Sequence, residues 1–161
     1  MPFTQGLPTN YAAMLDLVAW SEIGPALLAE SDDGYNILCG STPGHPLLFP
    51  SYADHPRILN RDLDSTAAGR GQIIARMYDA YKLRLSLPDF SPASQDAICL
   101  QMMRERGALA LLDAGNIRGA ILTCAPIWAS FPGNTYGQPT HSFTDLEETF
   151  VEAGGVISVL A

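Results

Sequence analysis

The chain has 161 residues, 47% of them hydrophobic, and a formal net charge of −8. That length suits one domain of about 100–200 residues with one sizeable core. The negative charge argues against a broad basic surface for nucleic acid, and no apolar run approaches the ~20 residues of a membrane span.

Residues 1–9 carry two prolines and a glycine and read as an N-terminal arm. Asn10 is a good N-cap for a first helix over about 10–22. Its apolar positions Tyr11, Met14, Leu15 and Val18 recur at helical spacing and define an inward stripe. Continuing that stripe by four residues reaches Glu22, in the last turn before Gly24-Pro25. Burial and the negative end of the helix dipole both disfavour an ionised carboxylate there. A raised pKa is what a general acid working near neutral pH requires. The plainer alternative is that Glu22 points to solvent as the helix frays.

Residues 30–34 form an acidic turn, and Tyr35-Asn-Ile-Leu-Cys39 reads as a short strand. Turn chemistry over 41–46 and the apolar Leu47-Leu-Phe49 suggest that the chain returns as a hairpin. Ser65-Thr66 can cap a second helix running to about Leu85, with a stripe of Ile73, Ile74, Met77, Tyr78, Tyr81 and Leu85. Its first turns contain Gly69 and Gly71, each costing about 1 kcal/mol relative to alanine in a helix. A glycine there is either loop structure or room for a ligand to approach the backbone. Ser91-Pro92 starts a helix that stops at Gly107, and a short piece follows over about 108–114. Asn116 caps another that ends at Cys124. Thr144-Asp-Leu-Glu147 has the form of a capping box for a last helix to about Ala153. Val156–Leu160 reads as a terminal strand.

Cys39, Cys99 and Cys124 are odd in number without CxxC spacing, and read as buried thiols. His45, His55 and His141 form no metal-ligand pattern.

An acid beside an aromatic-rich, loop-bounded cleft points to cleavage of a glycosidic bond. Common glycosidases add a second carboxylate, as nucleophile or to activate water. Asp32, Asp33, Asp54, Asp62 and Asp64 are available, but no sequence context singles one out. A mechanism using one carboxylate therefore stays open beside the two-carboxylate one. Gln72 can hydrogen-bond a sugar or be a surface glutamine. Trp128 is read as core, and Tyr136, between Thr135 and Gly137, as the better cleft residue; Gln138 can bond hydroxyls.

At these residues the chain resembles the phage lambda lysozyme family, endolysins that act as lytic transglycosylases on peptidoglycan. The resemblance runs from about Ala13 to Gly155. It is carried by Ala19-Trp-Ser-Glu22, Tyr52-Ala-Asp-His-Pro-Arg57, Ser65-Thr-Ala-Ala-Gly-Arg-Gly-Gln72, Asp79-Ala-Tyr81, Ser91-Pro-Ala-Ser-Gln-Asp-Ala97, Glu105-Arg-Gly-Ala-Leu109, Ile127-Trp-Ala-Ser130 and Tyr136-Gly-Gln138. It implies an α+β, lysozyme-like fold over a single domain 1–161: a mostly helical lobe, a small β-hairpin lobe and a glycan cleft between them. It implies that Glu22 matches the family's catalytic glutamate. Gln72 matches the glutamine of a Gly-Arg-Tyr-Gln motif, and Tyr136 falls in a Tyr-Gly-Gln motif. Gln138, Ser65 and Tyr35 complete the candidate substrate-binding set. The chain departs from the family at Gly71, where the family has tyrosine, at Ala67 for glycine, and at Met77-Tyr78 for paired tryptophans.

The expected activity is cleavage between N-acetylmuramic acid and N-acetylglucosamine with formation of a 1,6-anhydro sugar, Glu22 serving as acid and then base. The rival readings are a hydrolysing muramidase that uses a loop aspartate, and a glycan-binding module with weakened turnover. No metal or organic cofactor is implied. The expected partner is the peptidoglycan glycan strand, with no nucleic acid, no stable membrane association and a monomeric state. With no secretory leader visible, synthesis is expected in the host cytoplasm, and access to the wall through a separate membrane lesion.

Overall fold

The computed structural model describes residues 2, 3, 6–133 and 140–158. Seven helices follow in chain order: α1 (Thr9–Ile23), α2 (Pro25–Ala29), α3 (Ala75–Leu85), α4 (Pro92–Glu105), α5 (Ala108–Asp113), α6 (Ile117–Cys124) and α7 (Phe143–Glu152). The chain divides into two units. One comprises Met1–Glu22 with Cys99–Ala161, the other Ile23–Ile98.

In the discontinuous unit, α1 is buried far more widely than one stripe. Ala13, Met14, Leu15, Leu17, Val18 and Ala19 are all buried. The same unit also buries Leu109 and Leu112 of α5, Ile117 and Ile121 of α6, Leu146 and Phe150 of α7, and the rings of Trp128 and Phe131. Trp128 is thus a core residue, edge-on to Phe131 at 5.9 Å between centroids. Helix α1 begins one residue earlier than expected, and Asn10 does not cap it. The Asn10 side chain donates to the carbonyls of Leu112 (2.8 Å) and Val156 (3.0 Å), and accepts from the Val156 N–H (2.7 Å). The amides of Tyr11 and Ala12 find the carbonyl of Pro8 instead. The last helix also starts early. Ser142 is its N-cap, accepting from the Asp145 N–H, and Glu147 leaves the expected capping box to pair with Arg118 at 2.6 Å. The terminal strand does not form over the described residues 156–158: the amides there are taken by Asn10 and by the carbonyl of Gly115.

The second unit corrects two expectations. Among the described residues the hairpin reduces to isolated antiparallel bridges, Ile37 with Leu48, Leu38 with Ala68 and Ala68 with Ile73. Two amides flank the first pair, Leu38 N–H to Leu47 (2.8 Å) and Phe49 N–H to Asn36 (2.9 Å). The ladder goes no further on the turn side, where the Leu47 N–H that would return to Leu38 goes to the Ser41 hydroxyl at 2.9 Å. Gly40, at φ +85°, turns the other side away. The small β lobe is therefore not a regular hairpin.

The second correction is the helix start. Residues 65–73 are turn and bridge, and the helix begins only at Ala75. Gly69 and Gly71 are loop glycines, as their helix cost anticipates. Thr66 nevertheless reaches the helix: its hydroxyl accepts from the Ala75 N–H at 3.0 Å, from nine residues upstream.

A buried polar knot holds this loop. The Gln95 amide donates to the carbonyls of Tyr35 (3.0 Å) and Phe90 (2.9 Å), and its oxygen accepts from the Arg70 N–H (2.9 Å). Arg70, also buried, donates through Nε to the Asp33 carbonyl at 3.1 Å, and its NH2 lies 3.5 Å from the Asp33 carboxylate. Beside the knot, His55, Tyr78 and Phe90 stack their rings at 4.7 to 5.6 Å. His55 is neutral and fixed in one tautomer, donating to the Ile73 carbonyl and accepting from the Arg57 N–H. Burial lowers its pKa.

Gly69 is at φ +75°, and a Cβ there would come within 2.1 Å of the Gln95 oxygen. Gly69→Ala is expected to destabilise the protein by about 3 kcal/mol, from the left-handed backbone and the displaced hydrogen bonds. Urea unfolding would measure it; a change below about 1 kcal/mol would show that the knot gives way freely.

Candidate active site

Glu22 sits in the final turn of α1 and is half-buried. Among the described residues one carboxylate oxygen takes both of its hydrogen bonds. Ser130 donates to Oε1 through its hydroxyl at 2.5 Å and through its N–H at 3.3 Å. Glu22 Oε2 has no partner among the described residues. Loss of solvent raises the pKa above the ordinary 4.5, and outweighs the two Ser130 hydrogen bonds and the His141 charge, which lower it. The C-terminal end of α1 acts in the same direction as burial.

The surroundings hold that geometry. Ser130 Oγ lies 3.0 Å from Ser21 Oγ, which itself donates to the Val18 carbonyl. The Ser130 carbonyl accepts from the His141 N–H at 3.1 Å. The His141 ring reaches back to α1, with Nε2 3.2 Å from the Ser21 carbonyl. A carbonyl only accepts, so Nε2 is the donor in this contact. The same ring packs on Trp20 at 4.5 Å between centroids. Trp20, Ser21 and Glu22 are thus gripped by Ser130 and His141. Neither was singled out as a site residue. Ser130 had a signal, as the last residue of Ile127-Trp-Ala-Ser130; His141 had none beyond being a histidine without metal-ligand spacing.

Of the other candidates, Gln72 is in the second unit, in the turn before α3. Its backbone is left-handed at φ +48°, and its amide donates to the Gly69 carbonyl at 3.0 Å. Gln72 Oε1 has no partner among the described residues. Ser65 pairs with Asn60 through the backbone, and its hydroxyl accepts from the Ala67 N–H. Tyr35 is only 3% exposed, and its hydroxyl donates to Asp96 at 3.0 Å. It has almost no surface to offer a ligand and serves the buried knot. Tyr136 and Gln138 lie outside the described residues.

Three of the loop aspartates have structural partners. Asp32 accepts from the Tyr52 hydroxyl at 2.5 Å, Asp33 faces Arg70, and Asp54 pairs with Arg57 (3.4 Å) and Lys82 (3.2 Å). Asp62 and Asp64 are exposed. Among the described residues no three His, Cys, Asp or Glu side chains gather as metal ligands. Cys99 and Cys124 are buried and Cys39 is part-exposed, and none of the three is in a disulfide.

The fold is that of a lysozyme. The endolysin family profile matches residues 12–157, and the chain belongs to that family, lysozyme-like phage enzymes that degrade the cell wall. It is 47% identical to the endolysin of Escherichia phage lambda over 146 residues, covering 90% of this chain and 91% of that one. It is 42% identical to the endolysin of Escherichia phage P2 over 155 residues, covering 91% and 94%. A solved structure of phage lambda lysozyme complexed with a chitohexasaccharide aligns with a TM-score of 0.84 at 43% identity, over 96% of this chain and 100% of that one. A second lambda lysozyme structure aligns at 0.81. No helix among the described residues is long and apolar enough to cross a membrane.

Ser130→Ala removes a hydrogen bond that favours the ionised form, so the Glu22 pKa is expected to rise further. Carboxyl-carbon NMR titration would measure it, and an unchanged midpoint would show that Ser130 does not tune the acid. Glu22→Gln removes the cost of burying a charge. With a folded pKa above 4.5, the protonated acid's stability is fully present below that value and is lost as pH rises through the folded pKa. Glu22→Gln is therefore expected to melt a few degrees above the parent at about pH 7, the gap closing toward about pH 4. Melting curves at the two pH values would test this.

Proposed function

We propose that this protein is a lytic transglycosylase of peptidoglycan, cutting the MurNAc-β-1,4-GlcNAc bond with Glu22 as its acid and base. The observation that carries the reading is the half-buried Glu22 with a raised pKa and both Ser130 bonds on one oxygen. Among the described residues that leaves Oε2 to hold the proton. Family membership supports the wall as target. The chitohexasaccharide bound to lambda lysozyme supports an amino-sugar chain as ligand.

In the first step Glu22 Oε2 gives its proton to the bridging oxygen, and the bond from that oxygen to the muramoyl C1 breaks. Positive charge develops at C1 and is met by the carboxylate just formed. In the second step the muramoyl C6 hydroxyl attacks C1, and its proton returns to Glu22. The enzyme is regenerated, no water is consumed, and one carboxylate performs both transfers. Protonation of the acid sets the alkaline limit, so activity falls as pH rises through the raised Glu22 pKa. The engagement of Asp32, Asp33 and Asp54 elsewhere favours this over a mechanism with a second carboxylate. Gln72 is proposed to bond the saccharide through Oε1, with Tyr136 and Gln138 as further contacts. Ser65 shapes the loop that carries Gln72. Synthesis in the host cytoplasm, passage through a membrane lesion and action as a monomer belong to the same proposal.

Mass spectrometry of digested peptidoglycan tests it. Products ending in anhydro-muramic acid are expected; products heavier by one water would replace the proposal with a muramidase. Glu22→Gln is expected to cut turnover by about a thousandfold or more, since it removes the only proton carrier, with glycan binding kept. Asp54→Asn, Asp62→Asn and Asp64→Asn are each expected to keep the anhydro product. A folded aspartate variant that binds glycan but has lost turnover would point to the hydrolytic mechanism.

A further inference from the structure

An α-helix leaves its last four carbonyls without intrahelical donors, and its last turn frays unless something takes them. Ser21 lies in that turn of α1, and so does Glu22. His141 fastens the turn at three points. Its Nε2 donates to the Ser21 carbonyl at 3.2 Å, its ring packs on Trp20 at 4.5 Å between centroids, and its N–H donates to the Ser130 carbonyl at 3.1 Å. Ser130 lies in a turn with no ladder to hold its carbonyl, and His141 supplies the donor. Ser130 in its turn reaches Glu22 Oε1 through both its hydroxyl and its N–H. The path therefore leaves α1 at Glu22 and returns to it one residue away, at Ser21. All of these residues belong to one unit of the chain. A histidine also suits the place electrically. The negative end of α1 favours a cation, and the positive charge of His141 favours the ionised Glu22.

We propose that His141 is a positioning residue for Glu22, pinning the last turn of α1 and Ser130 to each other so that Oε1 stays covered and Oε2 stays open. The inference rests on the reading of Glu22 as the acid given above. Ser130 touches the carboxyl directly; His141 acts through Ser130, through the helix end and through its charge. Without the pin the glutamate side chain and its serine can drift apart, and a displacement of about 1 Å in a reacting group costs up to roughly a hundredfold in rate. The same pin keeps the two Ser130 bonds in place, and those bonds, with the His141 charge, hold down the pKa that burial raises.

The test uses two variants. His141→Phe keeps an aromatic ring for Trp20 and the backbone bond to Ser130, but loses the charge and the donor to Ser21. It is expected to lower kcat on peptidoglycan about tenfold, with KM within about twofold of the parent. The alkaline limit of kcat should move to higher pH, because the His141 charge is gone and the Ser130 bonds are loosened. A merely structural loss would move that limit the other way, since a loosened site admits water and relieves the desolvation that raises the Glu22 pKa. His141→Gln keeps a side-chain donor for the Ser21 carbonyl and is expected to regain most of the lost kcat. In a Ser130→Ala background His141→Phe should cost less than about threefold, because the two residues act along one path. Carboxyl-carbon NMR of Glu22 gives the midpoint without turnover, and His141→Phe should raise it. A midpoint that stays or falls, equal losses in His141→Phe and His141→Gln, or full additivity with Ser130→Ala would each overturn the inference. If products carry an added water, the transglycosylase reading falls, but a muramidase would still need the Glu22 proton and the same comparisons decide the role of His141. If Glu22→Gln keeps its turnover, the acid assignment falls, and the NMR midpoint still shows whether His141 governs the carboxyl.

Discussion

The candidate site depends on a carboxyl held at a helix end where water is scarce. Glu22 is not deeply buried; full burial would neutralise it permanently and prevent it from stabilising charge. Nor is it free in solvent, where it would ionise well below neutral pH. Ser130 limits the rise that burial causes, because both of its hydrogen bonds act against desolvation. The balance is local, but its support is extensive. The Ser130 carbonyl is held by His141, and His141 reaches back to Ser21 and Trp20 on the helix that bears the acid. Each group that restrains the carboxyl is thus itself restrained by a neighbour of the carboxyl.

The second unit solves a different problem. It has few backbone ladders, so its loops need other partners. Gln95 supplies them by joining Tyr35, Phe90 and Arg70 through one side chain. A buried amide that satisfies three backbone groups fixes the positions of all three. The loop from Ser65 to Gln72 is held this way at its middle and by Thr66 at the start of α3. Gln72 consequently keeps a left-handed backbone that an isolated glutamine disfavours.

The sequence carried the helices well wherever apolar spacing was long. The half-burial of Glu22 follows its place after Met14, Leu15 and Val18, which are buried in α1 as their spacing indicates. The errors fall where two local signals compete. Ser65-Thr66 looks like a cap, and Thr66 does bond the first amide of α3, but across a turn that spacing along the chain cannot reveal. Asn10 has the chemistry of a cap, yet it spends its amide on Leu112 and Val156, over a hundred residues away in sequence. The hairpin was read from turn chemistry and an apolar return, and neither reveals that the Ser41 hydroxyl takes the Leu47 N–H that a regular ladder would use. His141 was invisible for a related reason: its role comes entirely from contacts with a helix 120 residues earlier, and no local pattern encodes such a contact.

The division of the chain has a consequence for biosynthesis. The unit that contains Glu22 is assembled from Met1–Glu22 and Cys99–Ala161. Ser130 follows Glu22 by 108 residues. At about 5–20 residues per second, a ribosome delivers that partner on the order of ten seconds after the acid. The amide of Asn10 waits longer still, for Val156, 146 residues on. The nascent protein therefore carries the Glu22 carboxyl without the groups that tune it until Ser130 and His141 have been made. An incomplete chain, left by an interrupted ribosome, contains the acid but not the environment that makes it one.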